Sequence, residues 1–304
     1  MIKSPLNNYG HVKKIASFEV NELIEAWQKK YAINITQEIK SQDELILYEC
    51  QDSKIRFFEP LNLTGSGEFY EQLQKFHWYY VPKKWEYGIA IKDLTNCQSI
   101  LEVGCGEGAF IEQLQKYHNA DIQGVDLNPK AVKIAQKKQL PVVQQDIKEI
   151  AQEKVEYFDA ICAFQVLEHL GQPQEFLSLT MNLLRPGGLL LISVPNCDSF
   201  MRDAQDDLLN MPPHHLTHWN TESLFYLTKI FPIQMKHVNK EPLALYHVDF
   251  YIDVLLKRLQ RKGFSKRLTT QILHRLLKPL LQTFSSLRHL IVGHTLYVCY
   301  QKHE

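Results

Sequence analysis

Between Cys97 and Val194 the chain alternates short apolar runs with amphipathic stretches, a pattern that few architectures accept. Ser99–Val103, Ile122–Val125, Val142–Val143, Phe158–Phe164 and Leu189–Val194 have the length and continuous hydrophobicity of strands buried on both faces. Between them run helical stretches, such as the one that carries Phe176, Leu179 and Leu183 on one side. Strand–helix alternation of this kind predicts an α/β fold: a mostly parallel, doubly wound sheet with helices on both faces. Ligands of such sheets sit beyond the carboxyl ends of the strands, at the topological switch point.

The residues at those strand ends carry chemistry. The first run leads directly into Glu102-Val-Gly-Cys-Gly-Glu-Gly-Ala-Phe110, where Gly104, Gly106 and Gly108 remove side chains from a sharp turn that a ligand can approach. The second run ends at Asp126, placed to accept from the two hydroxyls of a ribose, and the third ends near Asp146. The fourth ends in Phe164-Gln-Val-Leu-Glu-His169, and Leu184-Arg-Pro-Gly-Gly188 is a turn that feeds the fifth. A glycine cluster alone also suits a dinucleotide. Such loops usually read G-x-G-x-x-G, whereas here the third glycine follows the second after a single residue.

This ordered set, from about Cys97 to Asn196, closely resembles the class I methyltransferases. The resemblance implies a three-layer, seven-stranded sheet with the last strand antiparallel, and S-adenosyl-L-methionine as cofactor. Carried over by residue, Glu102 would order the methionine amino group, and Gly104, Cys105 and Gly106 would line the methionine moiety. Asp126 would bind the ribose, Leu127 and Ile147 would sandwich the adenine, and Asp146 would accept from its exocyclic amine. Gln165 would sit beside the methionine end, while Tyr79, Tyr80 and Trp85 supply an N-terminal lid over the cofactor. Methyl transfer needs an aligned nucleophile and often a base, and histidine is the natural base near neutral pH. His214 and His215, in Pro212-Pro-His-His-Leu-Thr-His-Trp219, are the catalytic candidates.

Outside this core, residues 1–92 read as a helical and aromatic extension covering the site, with Asn21 capping a helix that buries Leu23, Ile24 and Trp27, and a hairpin over Ile46–Phe58. Residues 93–304 read as the methyltransferase domain, interrupted by a helical insertion at 244–290. The periphery resembles bacterial methyltransferases associated with cell-surface glycans and small metabolites. Many of these carry C-x-x-C in the preceding hairpin, where this chain has Cys50-Gln-Asp-Ser53. The segment at 165–169 is also similar to quinone O-methyltransferases, in which a carboxylate at the first position helps bind a metal. Gln165 stands there instead, so no metal is expected. Six dispersed cysteines read as reduced thiols of a cytoplasmic protein.

The formal charge is zero, yet 254–303 holds ten Lys or Arg and no Asp or Glu, which leaves 24 basic residues against 34 acidic ones elsewhere. A helical hairpin over 254–290 with one basic and one apolar face could touch an anionic membrane surface or a second copy of the chain in a homodimer. The functional expectation is methylation of an oxygen on a small-molecule or glycan acceptor. Nucleic-acid methylation is the alternative, disfavoured because Phe164-Gln165 stands where many base-amine methyltransferases have Asp/Asn-Pro-Pro. A cofactor-binding interaction protein without turnover is a third reading.

Overall fold

A computed structural model describes residues 2–7, 10–39 and 42–304. The N-terminal region is built on a sheet. Strand β1 (Val12–Glu19) runs straight into helix α1 (Val20–Tyr31), and β2 (Glu44–Cys50) with β3 (Arg56–Glu59) forms the expected hairpin. Asn21 is not the cap of α1: Glu19, the last residue of β1, holds that position without a side-chain hydrogen bond. The helix therefore starts by continuity with the strand, and Leu23 and Trp27 are buried beneath it. Two short helices follow, α2 (Gly67–Leu73) and α3 (Trp85–Asp93).

The central layer is a seven-stranded sheet. Strands β4 (Ser99–Val103), β5 (Asp121–Asp126), β6 (Val142–Gln144), β7 (Phe158–Phe164) and β8 (Leu184–Pro195) are parallel. Helices α4 (Ala109–Leu114), α5 (Pro129–Lys137), α6 (Ile147–Glu153) and α7 (Pro173–Leu183) cross between them. Every residue of β7 is buried, as a strand covered on both faces requires. One core packs Leu101, Val103, Ile161 and Ile192 beneath Ile150 and Phe176; the other packs Ile100, Cys162 and Leu191 against Tyr87, Phe110 and Val132. The Leu184–Gly188 turn lies inside β8, since Leu184 already pairs with Phe158 and the register shifts beyond it.

After β8 the chain forms β9 (Thr217–His218), which pairs with β3 and completes a four-stranded sheet β1-β2-β3-β9. Helix α8 (Thr221–Ile230) then starts with a reciprocal cap between Asn220 and Ser223. Strand β10 (Ile233–Pro242) and the final β11 (Val292–Lys302) complete the central sheet in the order β10-β11-β8-β7-β4-β5-β6, with β11 antiparallel to both neighbours. No helix among the described residues is long and apolar enough to cross a membrane.

The insertion between β10 and β11 comprises α9 (Val248–Arg261), α10 (Lys266–Ile272), a π turn at Leu273–Leu277, α11 (Lys278–Thr283) and α12 (Ser285–His289). The wide turn precedes Pro279, which sits in the first turn of α11, where its missing N–H costs no bond. Ile252, Leu273 and Leu281 form a small core of their own, while Leu268, Ile272, Leu276 and Leu280 remain exposed. The basic face is not wholly turned to solvent: Lys257 and Arg261 pair with Asp206, and Arg258 pairs with Asp203.

Candidate active site

The glycine loop closes the carboxyl end of β4. Gly104 and Cys105 donate their amides to the Val125 carbonyl at 2.8 and 3.1 Å, which bends the loop over the end of β5. Gly104 and Gly106 adopt φ of 72° and 54°. A Cβ at Gly104 would stand 2.6 Å from Val166, and one at Gly106 would stand 2.8 Å from the Tyr80 ring. The loop thus needs glycine both for its left-handed backbone and for the ring that lies against it.

Asp126 is bound from two sides. Its Oδ2 accepts from the Gly106 amide at 2.7 Å and its Oδ1 from the Asn128 amide at 2.8 Å. Burial raises its pKa and these amide bonds oppose the rise. Asn128 in turn caps α5 through Lys130 and Ala131, with Pro129 in the first turn. Asp146 caps α6 through the Lys148 amide. Leu127 is a large apolar side chain left 66% exposed at the cavity wall, where Ile147 also lies. Gln165 holds a left-handed φ of 58° at the end of β7. Its Nε2 donates to Ser193 Oγ, which donates to the buried Glu86. Such strain persists only where the surroundings impose it, and ligand sites are where it gathers.

Glu102 is 3% exposed, and its Oε2 has no hydrogen-bond partner. Burial pushes its pKa up to about 8, against the opposing charge of Lys84. An orphaned carboxylate oxygen under a glycine turn fits a cationic amino group arriving with a ligand. Beside it Cys105 is buried with its thiol pushed up in pKa, which leaves it a small packing residue and not a nucleophile.

Gly104, Asp126, Leu127, Asp146, Ile147, Gln165 and Tyr80 line a cavity of about 1440 Å³, whereas Glu102, Cys105 and Gly106 lie behind its wall and are not among its lining residues. Tyr79 lines it too. Trp85 does not: it begins α3 and packs, half-buried, against the core containing Tyr87 and Phe110. The far wall comes from the N-terminal region, including Ile2, Lys3, Glu59 and Leu61.

His214 and His215 do not line the cavity; both are 7% exposed. The histidine at the wall is His169, on the single turn Leu167–His169 after β7. Its ring lies 4.7 and 4.9 Å from those of His214 and His215, so the two expected histidines stand one ring away from the wall. Burial lowers the pKa of His169 to about 4 and holds His214 and His215 well below the usual range, so all three are neutral at pH 7. Sequence reasoning assigned no role to His169, Asn128 or Tyr70, all of which line the cavity. The signals for His169 are its place just beyond the fourth strand and its membership of the 165–169 segment.

The arrangement offers a carboxylate for a ribose, an orphan carboxylate for an ammonium, apolar faces for a base and a histidine cluster beyond them. The residues present therefore fit S-adenosylmethionine. Residues 43–232 match the sequence model of the methyltransferase domain family. Over 121 residues the chain is 31% identical to the ubiquinone biosynthesis O-methyltransferase of Xanthomonas oryzae pv. oryzae, covering 38% of this chain and 50% of that protein. It is 34% identical over 103 residues to the protein of the same name from Xanthomonas axonopodis pv. citri, covering 32% of this chain and 43% of that one. The chain spans about half the length of the curated relatives it matches. Its fold is similar to that of an S-adenosylmethionine-dependent methyltransferase from Archaeoglobus fulgidus, with a TM-score of 0.46 and 19% identity over 71% of this chain and 94% of that one.

Proposed function

The chain belongs to the methyltransferase domain family, and from that premise we propose that it methylates an oxygen of a small-molecule or glycan acceptor. The observation that supports this most is the joint engagement of the loop: Asp126 holds Gly106 while Glu102 keeps a free oxygen beneath it. When bound, S-adenosylmethionine supplies a methyl group already made electrophilic by its sulfonium.

The protein's work is then alignment. Glu102 would neutralise the methionine ammonium, Asp126 would accept from the ribose, and Leu127 with Ile147 would hold the adenine. Gln165, fixed by Ser193, would border the methionine end. Drug-sized ligands occupy about 300–1,000 Å³, so a cavity of about 1440 Å³ leaves room for an acceptor beside the cofactor. Tyr79 and Tyr80 exclude water from that junction. The neutral imidazole of His169, at the wall, can accept a hydrogen bond from the acceptor hydroxyl and turn an oxygen lone pair toward the methyl.

The test is transfer from methyl-labelled S-adenosylmethionine to a panel of hydroxyl-bearing metabolites and glycans, with amines as comparison. Label should enter an ether oxygen. Label found only on nitrogen would overturn the oxygen assignment, and label in none of the panel despite tight cofactor binding would favour a binding protein.

A further inference from the structure

Helix α10, the π turn after it and α11 form one continuous helical rod over 266–283, and its rows of side chains meet different surroundings. Thr269, Leu273 and Leu281 are buried, and Leu277 packs beside them. One position back along the chain, Leu268, Ile272, Leu276 and Leu280 are between 45% and 61% exposed. Phe264 and Phe284, just beyond the two ends of the rod, are exposed as well and extend this row. Large apolar side chains thus recur at every fourth residue on its outer side. A four-residue step overshoots a turn of about 3.6 residues. The wider π turn at Leu273–Leu277 takes back part of that drift, which keeps the row on one side. Scattered exposed leucines are ordinary, but a contiguous row of this length marks an interaction surface.

The charges follow the same division. Residues 254–303 hold ten Lys or Arg and no Asp or Glu, but these cations are not equally free. Lys257, Arg258 and Arg261 pair with Asp203 and Asp206, Lys278 pairs with Asp249, and Lys302 pairs with Glu156. Arg288 donates to the Leu281 carbonyl. Lys262, Lys266, Arg267 and Arg275 are exposed and make no ion pair among the described residues. Arg267 and Arg275 occupy the row next to the apolar one, again one position back, and Lys262 and Lys266 bracket Phe264. The unpaired cations therefore sit beside the exposed apolar row.

We propose that this face docks on an anionic lipid surface, with the apolar row at the boundary between headgroups and acyl chains and the unpaired cations among the headgroups. A helix lying in that plane needs such a pairing of apolar and cationic rows. The charge pattern argues against other occupants. A second copy meeting the same face across a two-fold axis would set cations against cations. A nucleic acid would satisfy the cations and leave the apolar row in water. Strand β10 is antiparallel to β11, which is antiparallel to β8, so β10 runs with the parallel strands and ends at their carboxyl edge. The insertion thus leaves the sheet from the edge that carries the glycine loop and Asp126, and a docked chain keeps that edge beside the lipid.

The experiment mixes the full chain with vesicles of phosphatidylglycerol and phosphatidylcholine, or of phosphatidylcholine alone, and measures co-sedimentation at low and high salt. The chain should bind the anionic vesicles, more weakly as salt rises, and bind the neutral ones at least about 10-fold more weakly. Leu268→Ser/Leu276→Ser and Arg267→Ala/Arg275→Ala alter exposed side chains, and each should weaken anionic binding at least about 10-fold. Lys133→Ala/Lys137→Ala removes exposed cations from α5, beside β6 at the opposite end of the sheet, and should leave binding unchanged. No binding to anionic vesicles at low salt, full binding by the leucine variant, or equal loss in the α5 variant would overturn the lipid site. Without vesicle binding, a dimer dispersed by Leu268→Ser/Leu276→Ser would assign the face to a second copy. RNA binding lost in Arg267→Ala/Arg275→Ala, again without vesicle binding, would assign it to nucleic acid. Methyl transfer enters none of these measurements, and the wild-type comparison does not depend on any variant folding.

Discussion

Asp126 and Gly106 are joined across the carboxyl ends of two adjacent parallel strands, with the Gly106 amide donating to Asp126 Oδ2 at 2.7 Å. One carboxylate therefore shapes the glycine loop and borders the cavity at once. Asp126→Ala should weaken binding of S-adenosylhomocysteine by about 10-fold or more, since hydrogen bonds to a charged group contribute roughly 1.5–3 kcal/mol. Asp126→Asn, which keeps an oxygen for one amide, should lose less. Equal affinity in wild type and both variants would remove Asp126 from the binding site.

The contact between Gly106 and Tyr80 predicts a coupled pair of effects. Gly106→Ala combines a left-handed backbone with a collision against the ring and should cost about 1–3 kcal/mol of stability. In Gly106→Ala/Tyr80→Ala the collision is gone and only the backbone strain remains. The double variant should thus be more stable than the sum of the two single changes predicts. Additive losses in denaturant unfolding would show that the ring does not rest on the loop.

Glu102 makes stability depend on pH. In the folded chain its carboxyl keeps its proton up to about pH 8, whereas unfolded it ionises in the ordinary carboxylate range. The folded state holds the extra proton between those limits, so stability falls as pH rises through that window and is level above it. Glu102→Gln removes this titration, and its stability relative to wild type should improve from about pH 5 to about pH 9. The other buried carboxyls titrate alike in both proteins and drop out of the comparison. Parallel curves by urea unfolding would contradict the buried, unpartnered carboxyl.

How much of this was legible in the sequence depends on how local each cause is. The β4–β8 strands and the Glu102–Gly108 loop were readable, because burial on two faces and positive φ impose composition within a few residues. Strand β1 was not: Val12–Glu19 is half-exposed and carries two lysines, so it lacks the alternation that marks a sheet face. The histidine cluster was hidden for a different reason. His169 meets His214 only because the chain returns after 45 residues to pair β9 with β3. Nor could spacing reveal that Trp85 packs into the core while Tyr80, five residues earlier, meets the cavity.

That last division makes a prediction about motion. If Tyr79 and Tyr80 close over bound cofactor, S-adenosylhomocysteine should slow amide exchange around them and leave α3, from Trp85 to Asp93, nearly unchanged. Equal protection of both segments would mean that the aromatics and α3 respond as one unit, and absence of protection at Tyr79–Tyr80 would assign them to the permanent wall.

The central claim is that the loop, Glu102 and Asp126 together form a site for S-adenosylmethionine, and calorimetry tests it most directly. Titration of the wild-type chain with S-adenosylhomocysteine should give one saturable site, and NAD should give none. Binding of NAD with no binding of either S-adenosylmethionine or S-adenosylhomocysteine would contradict the account.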